Sequence, residues 1–215
     1  MTTAVRHQVP YVTAYDGEDV EYQLALAPHA EATDGFRLSY ADAVAQDWMF
    51  GVLWHRHGTT RAGQPQWKLV NTARQRRCML HLLCQVCGRS AVDDDGRIWW
   101  VLVDLPPTTA LDEPFTNAPP TCRECIPAAT RMCPRLRQSS HIYTAAAAEP
   151  YAVVADTFRP AGRRLVIGQT LELPLEAFHD LEYALAKQLV VLLGDLRPAS
   201  PAKRCRPDAL AISEP

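Results

Sequence analysis

Apolar and polar residues alternate over short runs in the first third of the chain. The runs "YVTAY" (11–15), "EYQLALA" (21–27) and "GFRLSY" (35–40) have the two-residue period of half-buried strands. Ser39 with Asp42 three residues on forms a weak capping box, which predicts a short helix over 39–46. "WMFGVLWH" (48–55) reads as one strand, and "PQWKLV" (65–70) as its antiparallel return across a turn-rich loop. The period then changes to that of a helix over 71–84, with Asn71 as N-cap. Leu69, Ala73, Leu80 and Leu83 share one face of it, which leaves Arg74, Arg76 and Arg77 toward solvent.

"AVDDDGRIWWVLVD" (91–104) reads as a hairpin turning at Asp95-Gly96. A Pro-rich surface loop follows. Pro127 suits the first turn of a short helix, which Pro134 ends or kinks. "YAVVADTF" (151–158) and "RRLVIG" (163–168) read as strands joined at 160–162, and "TLELPLE" (170–176) as a third. Phe178, Leu181, Leu185, Leu189 and Leu192 recur every three or four residues. That predicts the longest helix of the chain, stopped by Gly194. Residues 197–215 are Pro-, Ala- and Arg-rich and read as a disordered tail.

The expected fold class is α+β: small mixed sheets and short helices around a central cysteine module, closed by a strand-strand-helix unit. The segments are a β-rich 1–69, a helix with cysteine pairs at 70–136, the terminal unit at 137–196 and the tail, integrated as one domain. "YTAAAAEP" (143–150) offers the one boundary between them.

Composition changes this picture little. With 215 residues, 47% hydrophobic and 21% charged, the chain can bury a core. A net charge of -2 gives no global argument for nucleic acid or anionic membranes. The charge is uneven, however. Residues 1–60 hold three Lys/Arg against eight Asp/Glu, whereas 61–140 hold eleven against seven. Nineteen arginines against three lysines fit a GC-rich genome. No signal peptide or membrane-length apolar run is visible, so the expected location is cytoplasmic, without membrane contact.

Two C-x-x-C pairs, Cys84/Cys87 and Cys122/Cys125, stand 34 residues apart. Disulfides, redox chemistry and one metal ion are the alternatives. Seven cysteines is an odd count, and cytoplasmic thiols stay reduced, which favours metal. A C-x-x-C turn places two sulfurs on one edge of a zinc tetrahedron. Spacing alone does not separate zinc from iron. Cys78 reads as core, Cys133 as a substitute ligand if the register slips, Cys205 as an exposed thiol and His81 as a surface or neighbouring imidazole.

The order knuckle, hairpin, loop, knuckle, helix in "CQVCG" (84–88), "RIWWVLVD" (97–104) and "CRECIPAATRMC" (122–133) resembles the treble-clef zinc fingers. The resemblance covers about residues 84–135 and implies Cys84, Cys87, Cys122 and Cys125 as ligands of a structural Zn2+. The gap is longer than the fifteen to twenty residues of the usual four-cysteine spacing. The whole chain also resembles actinobacterial proteins with two such knuckles. The His-metal nucleases that share this clef need a histidine near the hairpin, and this segment has none.

Other chemistry is sparse. No Ser/His/Asp pattern, P-loop, G-x-G-x-x-G or H-E-x-x-H is present. In "WHRHG" (54–58), His55 and His57 share a face if extended, and are the candidates for metal binding or acid–base work. Arg74, Arg76, Arg77, Arg123 and Arg131 cluster near the knuckles as a candidate phosphate or nucleic-acid face, with Trp99 or Trp100 as a stacking platform. The leading expectation is a non-enzymatic, zinc-stabilised regulator or adaptor that binds a protein or nucleic acid. The alternative is a small biosynthetic or modifying enzyme with a scaffold zinc and a separate His-containing pocket. A third is a structural subunit.

Overall fold

The early strands form where the sequence alternates, but their partners differ from those that proximity suggests. The computed structural model describes residues 9–161 and 164–201. After β1 (Thr13–Tyr15), β2 (Leu24–Pro28) and β3 (Phe36–Tyr40) pair as a hairpin. Ser39 lies inside β3, and the expected short helix is reduced to a 3-10 turn over Ala45–Asp47. The segment expected as one strand is itself a hairpin, β4 (Trp48–Met49) and β5 (Val52–Trp54). Phe50 (φ 56°) and Gly51 (φ 74°) both take left-handed backbone, as a two-residue type I′ turn requires. β6 (Pro65–Val70) returns onto β1 rather than onto β5.

α1 (Thr72–Leu80) starts where Asn71 Oδ1 accepts the Arg74 N–H at 3.0 Å. It ends where Leu82 takes φ 52° and the Leu83 N–H reaches the Cys78 carbonyl at 2.9 Å. Its buried side is not the expected one: Arg74, Gln75, Cys78 and Met79 face inward. The predicted hairpin at Asp95-Gly96 is a tight turn with a single bridge, Val92 to Ile98. β7 (Ile98–Leu102) finds its main partner elsewhere. β8 (Phe115–Thr116), α2 (Ile126–Met132) and α3 (Pro134–Gln138) follow, then β9 (His141–Ala145), which pairs with β7.

β10 (Ala147–Ala161) and β11 (Arg164–Pro174) form a long antiparallel arm. The expected terminal helix is the main correction. Only α4 (Phe178–Leu181) is helical there, and Ala184–Gly194 is a strand, β12. β12 pairs with β10 on one side, and with β5 (parallel) and β8 on the other, in the sheet β11-β10-β12-β5-β4. Its apolar run is that of a strand covered on both faces. β13 (Arg197–Pro198) adds to β9, so the segment expected as tail begins inside a sheet. Residues 202–215, including Cys205, lie outside the described residues. Among the described residues, no helix is long and apolar enough to cross a membrane.

The large sheet separates two cores. On one face Val153, Ala155, Leu189 and Val191 pack with Trp54, Trp100, Met79 and the sulfur-bearing Cys84 and Cys122. On the other, Leu38 and Tyr40 of the β2–β3 hairpin cover Leu53 and Leu185. β7 is buried on both sides: Trp100 joins the first core, while Trp99 and Val101 pack on Ile126 of α2.

Candidate metal centre

The first cysteine pair lies in the turn that follows α1. The Cys84 N–H bonds the Arg89 carbonyl at 2.6 Å, and the Gly88 N–H bonds the Cys84 carbonyl at 2.8 Å. Gly88 has φ 73°, which favours glycine, and a Cβ there would crowd the Tyr11 ring at 3.1 Å. The second pair closes in a tighter turn, with the Cys125 N–H on the Cys122 carbonyl at 2.9 Å just before α2. Gln85 ties the knuckles together. Its N–H bonds the Pro120 carbonyl at 2.8 Å, and its side-chain amide donates to the Pro119 carbonyl and the Thr121 hydroxyl.

The sulfurs of Cys84, Cys87, Cys122 and Cys125 all lie within 4.8 Å of one another. Cys87 and Cys122 are 3.8 Å apart, far beyond a disulfide bond of about 2 Å. A zinc–thiolate distance of about 2.3 Å gives a tetrahedral sulfur–sulfur edge of about 3.8 Å, so the set fits one tetrahedral metal ion. Four cysteines would fill the shell, leaving a structural role for the metal. The electrostatics fit a set that needs a cation. Burial and the charge of Cys84 raise the Cys122 thiol and bring Cys125 up to about 12. Burial also opposes ionising Cys87, but hydrogen bonds from Arg89 outweigh it and bring that thiol down to about 7. Cys78 is buried near the set but is not one of the four clustered sulfurs, so it is core; burial pushes its thiol up to about 12. Cys133 stands between α2 and α3 outside the four, and His81 is exposed at the end of α1.

The arginines do not assemble as one open face. Arg74 is 3% exposed and clamps the buried Glu18 carboxylate with two nitrogens, at 2.5 and 2.6 Å. Arg76 stacks over Trp54 at 4.5 Å, and Arg123 lies over Trp99 at 5.4 Å and near Asp93 at 3.5 Å. Arg77 and Arg131 are exposed. Neither tryptophan offers a stacking platform: Trp100 is fully buried, and Trp99 is 7% exposed with its indole N–H on Asp93.

His55 and His57 do come together, with ring centroids 4.6 Å apart, and Tyr22 stands edge-on to His55. His57 Nδ1 accepts the Thr72 N–H at 3.1 Å, while the buried His55 Nδ1 has no hydrogen-bond partner among the described residues. Burial, then the charges of His57 and Lys187, lower His55 to about 4, so the pair is neutral at pH 7. Beside them Lys187 bonds Asp156 at 2.7 Å. The buried Glu18–Arg74 pair and the Gln75 side chain, both central to this packing, carry no local sequence signal, because their partners lie far along the chain. In comparisons with known proteins, no family model, no curated protein and no solved structure matches this chain.

Proposed function

We propose that this chain is a zinc-scaffolded, non-enzymatic binding protein whose metal holds the fold and whose partner is another protein. The observation that carries the reading is the closed set of four sulfurs, which leaves no coordination position for a substrate. The treble-clef-like reading is supported by the order knuckle, tight turn, β7, knuckle, α2; the pairing of β7 with β9 departs from it. A protein partner is favoured over nucleic acid because three of the five candidate arginines are engaged internally. Trp67 and Leu69, two residues apart on β6, are 60% and 54% exposed and suit a protein contact.

The test has two parts. Elemental mass spectrometry with an anaerobic absorption spectrum should give zinc without visible bands; iron with visible bands sinks the scaffold reading. Titration with duplex DNA and single-stranded RNA should show no saturable binding. Binding that weakens steeply with salt and is lost in Arg77→Glu/Arg131→Glu would instead establish a nucleic-acid protein. A second reading, an enzyme with a scaffold zinc, is favoured by the neighbouring His55, His57, Lys187 and Asp156. Its activity would have to vanish in His55→Ala/His57→Ala while the melting temperature holds.

A further inference from the structure

Residues 157–160 toward the turn end of the β10–β11 arm, Leu171 and Leu173 of β11, α4 and the loop of the β2–β3 hairpin line an open depression of about 340 Å³, at the small end of ligand clefts. Its wall is fixed by bonds from β10 and the β2–β3 loop to Glu182 and Tyr183, just after α4. The Phe158 N–H bonds the Tyr183 carbonyl at 2.8 Å, the Thr33 N–H bonds Glu182 Oε1 at 2.9 Å, and the Tyr183 hydroxyl donates to Asp34 at 3.4 Å. Leu171, 42% exposed, supplies the open apolar surface, backed by Leu173 and Phe158, which pack into the two cores. Arg159 and Asp180 bring opposite charges to the same depression. Among the described residues, neither has a side-chain hydrogen bond or ion pair with the rest of the protein.

We propose that this depression binds a small zwitterion with an aliphatic side group, a free α-amino acid of the leucine type. Arg159 takes the carboxylate, because a guanidinium matches its two oxygens. Asp180 takes the ammonium, with Asp34 beside it. Leu171 covers the aliphatic group, removing apolar surface from water on both sides. A ligand of one charge would engage only one of the two residues. The ends of a peptide lack one of the two charges, so a free amino acid is the source that satisfies both. The site is separate from the metal and goes beyond the function proposed above.

The test is calorimetric titration of the full zinc-loaded chain with L-leucine, followed by leucine amide and N-acetyl-leucine. Saturable binding of leucine is expected. Each analogue, and each of Arg159→Gln and Asp180→Asn, should bind roughly tenfold weaker or worse, the loss of one charge-assisted hydrogen bond. Both residues are exposed, so the variants should melt with the wild type. Absence of leucine binding overturns the proposal. So does equal binding of both analogues, or binding unaffected by either substitution. A zinc-free or partner-less outcome in the earlier tests leaves it standing.

Discussion

Glu18 shows how much one side chain can organise here. Its carboxylate is buried and receives Arg74, the Asn71 amide and the backbone N–H groups of Tyr15 and Arg61. Burial alone would raise this carboxyl; the hydrogen bonds outweigh it and hold it at about 2 against an ordinary 4.5. The folded value lies below the unfolded one, so the stabilisation is complete above about pH 4.5 and is lost as pH falls toward 2. Glu18→Gln removes one charge and strands the Arg74 guanidinium in the core. It should cost about 3–5 kcal/mol, read from urea unfolding at pH 7. His55 adds a second window. Burial favours its neutral form, so the unfolded chain takes up a proton first, and stability should decline as pH falls from 6.5 to about 4. In His55→Gln the urea midpoint should change less across that window; an unchanged pH profile would refute the assignment. The local chemistry of Asn71 and the four cysteines was legible in sequence because cap and knuckle are made by neighbours. Glu18 and Arg74 were not, because 56 positions separate them and an isolated arginine on a helix reads as solvent-facing.

Among the elements, β12 explains why periodicity misled. Its register with β10 shifts between Val154 and Ala155, leaving Lys187 as an extra residue. The shift exchanges inward and outward positions, so Ala184 and Ala186 before it, and Leu189, Val191 and Leu193 after it, face the same core. A strand with such a bulge, buried on both faces, spaces its leucines as a helix does. β12 also has a gap in its pairing between β5 and β8. Gln75 of α1 fills it: its amide donates to the Leu189 carbonyl and accepts the Leu189 N–H, each at 2.9 Å. Gln75→Met keeps the size but strands two buried backbone groups, and should cost at least about 2 kcal/mol with zinc content unchanged. The β4–β5 turn offers the opposite sign. Phe50 is partly exposed and holds φ 56°, a region an L-phenylalanine enters at a cost. Phe50→Asn should stabilise by roughly 0.5–1 kcal/mol, seen as a higher melting temperature.

At the scale of the molecule, a metal on the four cysteines would add a central tie to segments already joined by Gln85 and the core. The knuckles bring the end of α1, the loop before α2 and the N-terminal backbone at Tyr11 and Val12 onto one small volume. A structural zinc supplies on the order of 10–16 kcal/mol of apparent binding energy in peptides, comparable with the whole stability of a domain. Chelation, or Cys84→Ser, should therefore unfold the region around α1 and β7, whereas Cys78→Ala should keep the zinc. Protons compete with the metal for the sulfurs. Burial and the neighbouring charge keep Cys122 and Cys125 protonated at pH 7 in the metal-free protein, while Arg89 lowers Cys87 to about 7. Zinc uptake at that pH must then release protons from Cys122 and Cys125, and apparent affinity must rise with pH as they become easier to displace. Calorimetry in phosphate and in Tris, whose ionisation heats differ, measures that release directly. A binding heat that varies with the buffer, and an affinity that climbs above pH 7, would place the ion on these thiolates. A heat independent of buffer would mean that the metal sits elsewhere.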